Sequence, residues 1–323
     1  MAASLLGVST LTRCRISLSL KRVDSMRWTP HMQDCLDQLD IQGERVLDDI
    51  LVPRVKMQLI AEKCARSSPC NLNIQLDDTL SPPPELFVHG MFNQLFALKD
   101  SMTREVLKES KSASSQVRDI SELTTNVATV QLQLHAVELS LAEVALNGDP
   151  TVDSRSSTRR FQYLYISTRA VNQWFETLFA IPVDEMNGIP TSTLMQMRHA
   201  LGFLFALSTI DEPEWSKQDL VDTVGLYPIL DRLASLLSQI PAAVSARGIS
   251  DAGECEDHWW THVASTVRTL RSIWSGRDEH GNRAAPELTS FVPGDARYPA
   301  EAMDFDLPGL DWLIDPAMLS SLC

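Results

Sequence analysis

Glycine is scarce in this chain: 13 of 323 residues, about 4% against a usual 7% or so. That scarcity excludes phosphate-cradling loops, and the sequence holds no G-x-G-x-x-G and no G-x-x-x-x-G-K-[ST]. Also missing are G-x-S-x-G and H-E-x-x-H, so neither a nucleophile elbow nor a zinc-protease helix is encoded. Positive charge is short as well: 28 Lys and Arg face 42 Asp and Glu, a net charge of −14 with His neutral. Such a chain repels nucleic acid unless a local basic patch intervenes, so direct DNA binding is not expected. No apolar run approaches the roughly 18–20 residues of a membrane span. The six cysteines, at 14, 35, 64, 70, 255 and 323, form no C-x-x-C pair and read as reduced thiols.

What the chain has in quantity is helical periodicity. Thr29-Pro30 is a start signal, a capping hydroxyl followed by proline at the first helical position, with Met32, Leu36 and Leu39 on one face and Gly43 placed to stop it. A second segment, 44–66, carries Leu47, Ile50, Leu51, Met57, Leu59 and Ile60, with Pro53 predicting a kink or break. Residues 71–84 read as a linker, and helices follow over 86–107 and 117–146. The cleanest period lies over 158–181, in Phe161, Leu164, Tyr165, Val171, Trp174, Phe175 and Leu178. Such an aromatic helix is ordinary core, or else lines a ligand cavity. Pro190 opens a further helix with Leu194, Met197, Leu201, Leu204, Phe205 and Leu207; after an acidic turn at Asp211-Glu212-Pro213-Glu214, segments 220–240 and 257–274 complete the series. The expected fold is all-α: roughly eight helices, bundle-like, around one contiguous core.

Both ends differ from this body. Residues 1–25 form a basic leader, expected to be disordered, whose composition allows mitochondrial targeting only as a minor alternative. Residues 26–275 form the helical domain, and 276–323 a flexible linker and tail. Residues 301–323 hold five acids and no base among Phe305, Leu307, Leu310, Trp312 and Leu313. Acids alternating with bulky apolar groups mark an activation segment: carboxylates keep it solvated, leaving the apolar side chains to a coactivator groove. The plainer reading is a C-terminal helix docked through Phe305, Trp312 and Leu319.

One cluster invites a metal. Cys255, His258 and His262 stand at i, i+3 and i+7, on one helix face, with ligand types that suit zinc. A fourth ligand is missing, and the stronger reading is boundary residues beside core tryptophans. His31, His89, His135, His199 and His280 stand alone in the sequence and give no signal. An enzymatic role has no positive support.

Several stretches together resemble the regulatory region of fungal zinc-cluster transcription factors. Over 29–64 the pattern includes Arg54, Val55, Met57, Gln58, Ala61 and Glu62. Leu132 to Leu146 is similar to a family helix of the form H-x-x-E-L, and 201–237 adds Asp211, Pro213, Trp215 and Leu230-Asp231-Arg232-Leu233. Leu310-Asp311-Trp312-Leu313 is similar to the family's short acidic terminus. The resemblance implies an all-helical middle domain, a nuclear location and control of transcription, commonly of metabolic or biosynthetic genes. It also implies an N-terminal cluster of six cysteines binding two zinc ions, and no residue here matches that cluster. No cofactor is expected for this chain: zinc belongs to the absent cluster alone. The expected partners are coactivators or a second copy, with a small-molecule ligand also open, and no membrane. The alternative reading is a non-DNA-binding helical protein, located in the cytoplasm, that binds a metabolite or protein partner and no longer touches transcription.

Overall fold

The computed structural model describes residues 28–42, 46–66, 84–109, 117–146, 154–209, 225–246 and 254–279. Among these residues all regular structure is helical, as the periodicity predicts. The elements are α1 (Pro30–Gln42), α2 (Val46–Arg66), α3 (Pro84–Glu109), α4 (Val117–Leu146), α5 (Ser154–Phe179), a 3₁₀ turn (Val183–Gly188), α6 (Thr191–Thr209), α7 (Leu226–Ala246) and α8 (Glu254–Glu279). The leader at 1–25 and the tail from 280 onward lie outside the described residues.

In place of one contiguous core there are two compact units. Of the described residues, those up to 181 and 188–207 fall in the first, and 182–187 with those from 208 to 279 in the second. The first unit begins with α1, where the Thr29 hydroxyl accepts a hydrogen bond from the Met32 backbone N–H at 3.3 Å, the cap its sequence announces. Leu36 of α1 meets Leu51, Val52 and Val55 of α2, covered by Trp28, Leu39 and Leu59. Lys56 of α2 reaches back to Asp40 of α1 at 2.7 Å.

Pro53 does not break α2. The helix runs from Val46 to Arg66 with the proline inside it and buried. Its ring removes one backbone bond, and burial among Leu51, Val52 and Val55 offsets that loss. The other face of α2 supplies Met57, Ile60, Ala61 and Cys64 to a second cluster. Val88, Met91, Phe92 and Leu95 of α3 join it, with Val130, Leu134, Val137, Leu141 and Ala142 of α4.

The second unit is built on α7 and α8. Leu226, Ile229, Leu230, Leu233, Leu237 and Ile240 of α7 are buried, as are Trp259, Trp260, Val263, Val267, Leu270 and Trp274 of α8. Arg271 pairs with Asp231 at 2.7 Å and lies 5.7 Å from the Tyr227 ring centre, while Arg268 donates to Ser238 at 2.8 Å. Residue numbers rise on α7 as they fall on α8, so the two helices run antiparallel.

The sequence predicts α7 from residue 220, but it begins at Leu226. The reason is Gly225, whose φ of +65° no right-handed helix contains. Its carbonyl still accepts the first helical bond, from Ile229 N–H at 2.9 Å, so Gly225 is the cap. Gly225→Ala should therefore destabilise the second unit by about 1 kcal/mol, although a methyl there meets only Pro228 at 3.6 Å. A thermal melt followed through the buried tryptophans of α8 measures this; an unchanged midpoint would mean that the left-handed geometry costs alanine nothing.

Candidate functional site

The polar groups that the fold brings together are centred on α4. From 128 to 142 this helix is buried nearly all round, with only Gln131 exposed and Ser140 half-buried. Leu132, Leu139 and Leu146 recur every seven residues along one side; Val130, Leu134, Val137 and Leu141 occupy the opposite side at 100° per residue. A helix with two apolar faces is enclosed by neighbours, and its polar residues must find partners among them.

They find one on each neighbour in the first unit. Toward α2, the Gln133 amide donates to the Arg54 carbonyl at 2.9 Å, and Arg54 Nε donates back to Gln133 Oε1 at 3.3 Å. Toward α3, Lys99 Nζ stands 3.7 Å from Glu138 Oε1. From α5, the Arg160 guanidinium donates to the Leu146 carbonyl at 3.0 Å, where a cation complements the negative end of the α4 dipole. From α6, His199 Nε2 donates to Glu143 Oε2 at 2.9 Å. Four surrounding helices thus each direct a basic side chain onto one central helix.

Glu138 is the most constrained member, with no exposed surface. His135, one turn earlier on α4, donates its Nδ1–H to Glu138 Oε2 at 3.0 Å. Burial by itself raises the pKa of such a carboxyl. The His135 hydrogen bond and charge, with the charges of Lys99 and Arg169, outweigh burial and hold it below the ordinary glutamate value. The unfolded chain therefore binds a proton at higher pH than the folded one does. The resulting stability is complete above the ordinary glutamate range and is lost as pH falls through the lowered native value. In urea titrations between pH 7 and pH 3, Glu138→Gln should lose less stability on acidification than the parent. Equal losses would remove the pair from the acid response.

The sequence assigns neither His135 nor His199 a role as a lone histidine, yet both are partnered. His135 and Glu138 are an i, i+3 pair, a spacing visible in the sequence, and they occupy the H-x-x-E positions of the quoted helix pattern. Nothing local could link His199 to Glu143, 56 residues away.

The chemistry of this network is cohesive rather than reactive. Cys64 is buried, and burial first, then the Glu143 carboxylate, push its thiol up to about 12. Such a thiol stays protonated at neutral pH and is a poor nucleophile. Burial also lowers the pKa of Arg54, which keeps its charge and places it on the Gln133 amide.

The other candidates are placed as follows. Cys255, His258 and His262 all belong to α8, with His262 exposed; the side chains of Cys255 and His258 lie outside the described residues. Among the described residues no three His, Cys, Asp or Glu side chains are arranged to hold a metal ion. The adjacent tryptophans are core: Trp259 and Trp260 stack edge to face at 4.4 Å, and Trp260 Nε1 donates to Asn187 at 3.2 Å. Phe305, Leu307, Leu310, Trp312 and Leu313 lie outside the described residues. On α5, Leu164, Val171, Trp174, Phe175 and Leu178 are buried as their period predicts. Tyr165 is not: it is 68% exposed, because one residue beyond Leu164 turns it about 100° from the buried face. Among the described residues no helix is long and apolar enough to cross a membrane.

Comparison with known proteins bears on most of the chain. A family model described as a C-terminal domain matches residues 183–315. A transcription factor of Penicillium oxalicum, opdL, is 27% identical over 267 residues, covering 81% of this chain and 42% of that protein. A transcription factor of Aspergillus terreus is 26% identical over 266 residues, covering 80% of the chain and 42% of its own length. No solved structure matches. The chain thus spans less than half the length of these relatives, and along most of its own length it is similar to two fungal proteins named transcription factors.

Proposed function

We propose that this chain regulates transcription as the regulatory part of a zinc-cluster-type factor, by contact with other proteins and without reading DNA itself. The observation that carries this is the extent of the likeness: about four-fifths of the chain aligns with two proteins named transcription factors. Physical chemistry supports the second half. At a net charge of −14 the phosphate-neutralising attraction that dominates nonspecific DNA binding is missing. The family's zinc pair does not fit the cysteines present. Cys64 is committed to an apolar core, and Cys35 sits on α1 with its Sγ 3.8 Å from the His31 ring. No residue here is assigned to zinc.

In this reading the helical body, 26–275, sets the state of the factor and the tail recruits coactivator, inside the nucleus. Phe305, Leu307, Leu310, Trp312 and Leu313 supply the apolar contacts, and the five carboxylates of 301–323 keep them in water until a partner arrives. The test fuses residues 295–323 to a heterologous DNA-binding domain. Reporter activation is expected, with Phe305→Ala/Trp312→Ala reducing it at least fivefold. A silent fusion, or one indifferent to both substitutions, overturns the assignment of the tail.

A further inference from the structure

One face of α8 is exposed and differs in charge from the rest of the chain. Residues 265, 268, 269, 272 and 273 recur at steps of three and four, so they share one side of the helix, and all five are exposed. Ser265, Thr269 and Ser272 form a low floor along it. The Thr269 hydroxyl donates to the Ser265 carbonyl at 3.1 Å, which leaves its methyl group to any partner. Arg268 and Ile273 flank this floor, about 140° apart at 100° per residue, and Ile273 is a large aliphatic group 46% exposed. Residues 259–275 hold two arginines and no acid, against a net charge of −14 for the chain. Arg271 is neutralised by Asp231, whereas Arg268 donates to the uncharged Ser238 hydroxyl at 2.8 Å. A guanidinium and an aliphatic group with small residues between them suit a segment that alternates carboxylates with bulky apolar side chains.

We propose that this face is the docking site for the chain's own residues 301–315, which carry five acids and no base among Met303, Phe305, Leu307, Leu310, Trp312 and Leu313. Two further observations select that occupant. The family model described as a C-terminal domain runs from residue 183 through residue 315, so a single module takes in α7, α8 and the acidic stretch as far as Asp315. A stretch within a domain's bounds is expected to pack on that domain. Position adds to this. Ile273 stands less than two turns before the end of α8 at Glu279, and the segment follows on the same chain. Such a tether gives an effective concentration of the order of millimolar, enough to populate a contact too weak for free association. In this docking Asp311 meets Arg268, and Trp312 with Leu313 covers Ile273. The inference rests on the proposed function only in calling the segment an activation tail. In the intact chain its first partner is the chain itself, and a coactivator competes for the same side chains.

The test is limited chymotrypsin digestion of the full chain, with cuts at Phe305 and Trp312 timed by mass spectrometry and compared with a free peptide of residues 295–323. At about 0.15 M salt the expected result is cutting at least tenfold slower in the chain than in the peptide. Ile273→Ser and Arg268→Glu should each speed it at least fivefold, and adding Asp311→Arg to Arg268→Glu should restore the protection. Both substituted positions stand at the surface. Circular dichroism should therefore give the parent's melting curve for Ile273→Ser, so faster cutting there is not unfolding. The proposal is overturned if the chain is cut as fast as the peptide, or if neither substitution changes the rate. It is also overturned if protection rises with protein concentration, which would give the segment to a second copy. A silent reporter fusion with intact protection would remove the activating role of the tail and leave its docking standing; an active fusion without protection would do the reverse.

Discussion

His135→Leu should destabilise the first unit by about 3–5 kcal/mol, more than Glu138→Leu does, even though both break the same pair. The asymmetry follows from what each change leaves behind. Without His135, the fully buried Glu138 carboxylate loses its hydrogen bond, keeps only the more distant charges of Lys99, at 3.7 Å, and Arg169, and must stay charged at a cost or take up a proton. Without Glu138, the imidazole can be neutral and Lys99, about one-third exposed, can turn its ammonium to water. The double variant His135→Leu/Glu138→Leu should therefore be more stable than His135→Leu alone. Urea unfolding of the four proteins forms a double-mutant cycle with a coupling of about 1–3 kcal/mol. Additive losses would show that the two side chains act independently and would dismantle the account of α4.

The second large effect concerns Trp174, which has no exposed surface and heads the fully buried side chains by size. Trp174→Ala should cost about 3–5 kcal/mol through lost burial and the cavity left behind, lowering the melting midpoint by roughly 10 °C. Trp174→Phe should cost only about 1–2 kcal/mol. A buried indole normally loses a hydrogen bond as well when its nitrogen is removed, but among the described residues Trp174 Nε1 meets no acceptor, so phenylalanine gives up ring volume and no hydrogen bond to them. Its edge contact with Phe175, 5.1 Å between ring centres, survives the change. Were Trp174→Phe as damaging as Trp174→Ala, the indole nitrogen would have to be bonded, through water or ligand, inside the first unit.

Much of this architecture was legible in the residues, because one buried stripe per helix repeats at a regular spacing and capping chemistry is local. Thr29-Pro30 and Gly43 bracket α1 almost to the residue. Misreadings arose where a local rule met a competing term. Pro53 sits inside a continuous helix, since a proline costs one bond while apolar burial acts over the whole face. Gly225 stops a helix that periodicity alone carries back to residue 220. Tyr165 was counted with the core because an apolar residue beside Leu164 matches the pattern by type but not by angle. The polar network was half visible: His135 and Glu138 are within one turn of each other. The ties to Arg54, Lys99 and His199 cross 79, 39 and 56 residues, and pattern reading has no term for them.

The first unit is interrupted in the chain: it runs to residue 181, passes residues 182–187 to the other unit, and resumes at 188–207. On the ribosome this ordering matters. When α4 and α5 have been synthesised, Glu143 still lacks His199, and the flank that α6 will cover has nothing to cover it. Vectorial synthesis therefore cannot finish the first unit until its last segment, residues 188–207, which carries most of α6, has been made. Nascent chains halted at residue 181 carry an open seam that chaperones should recognise, whereas chains released past 207 can close it.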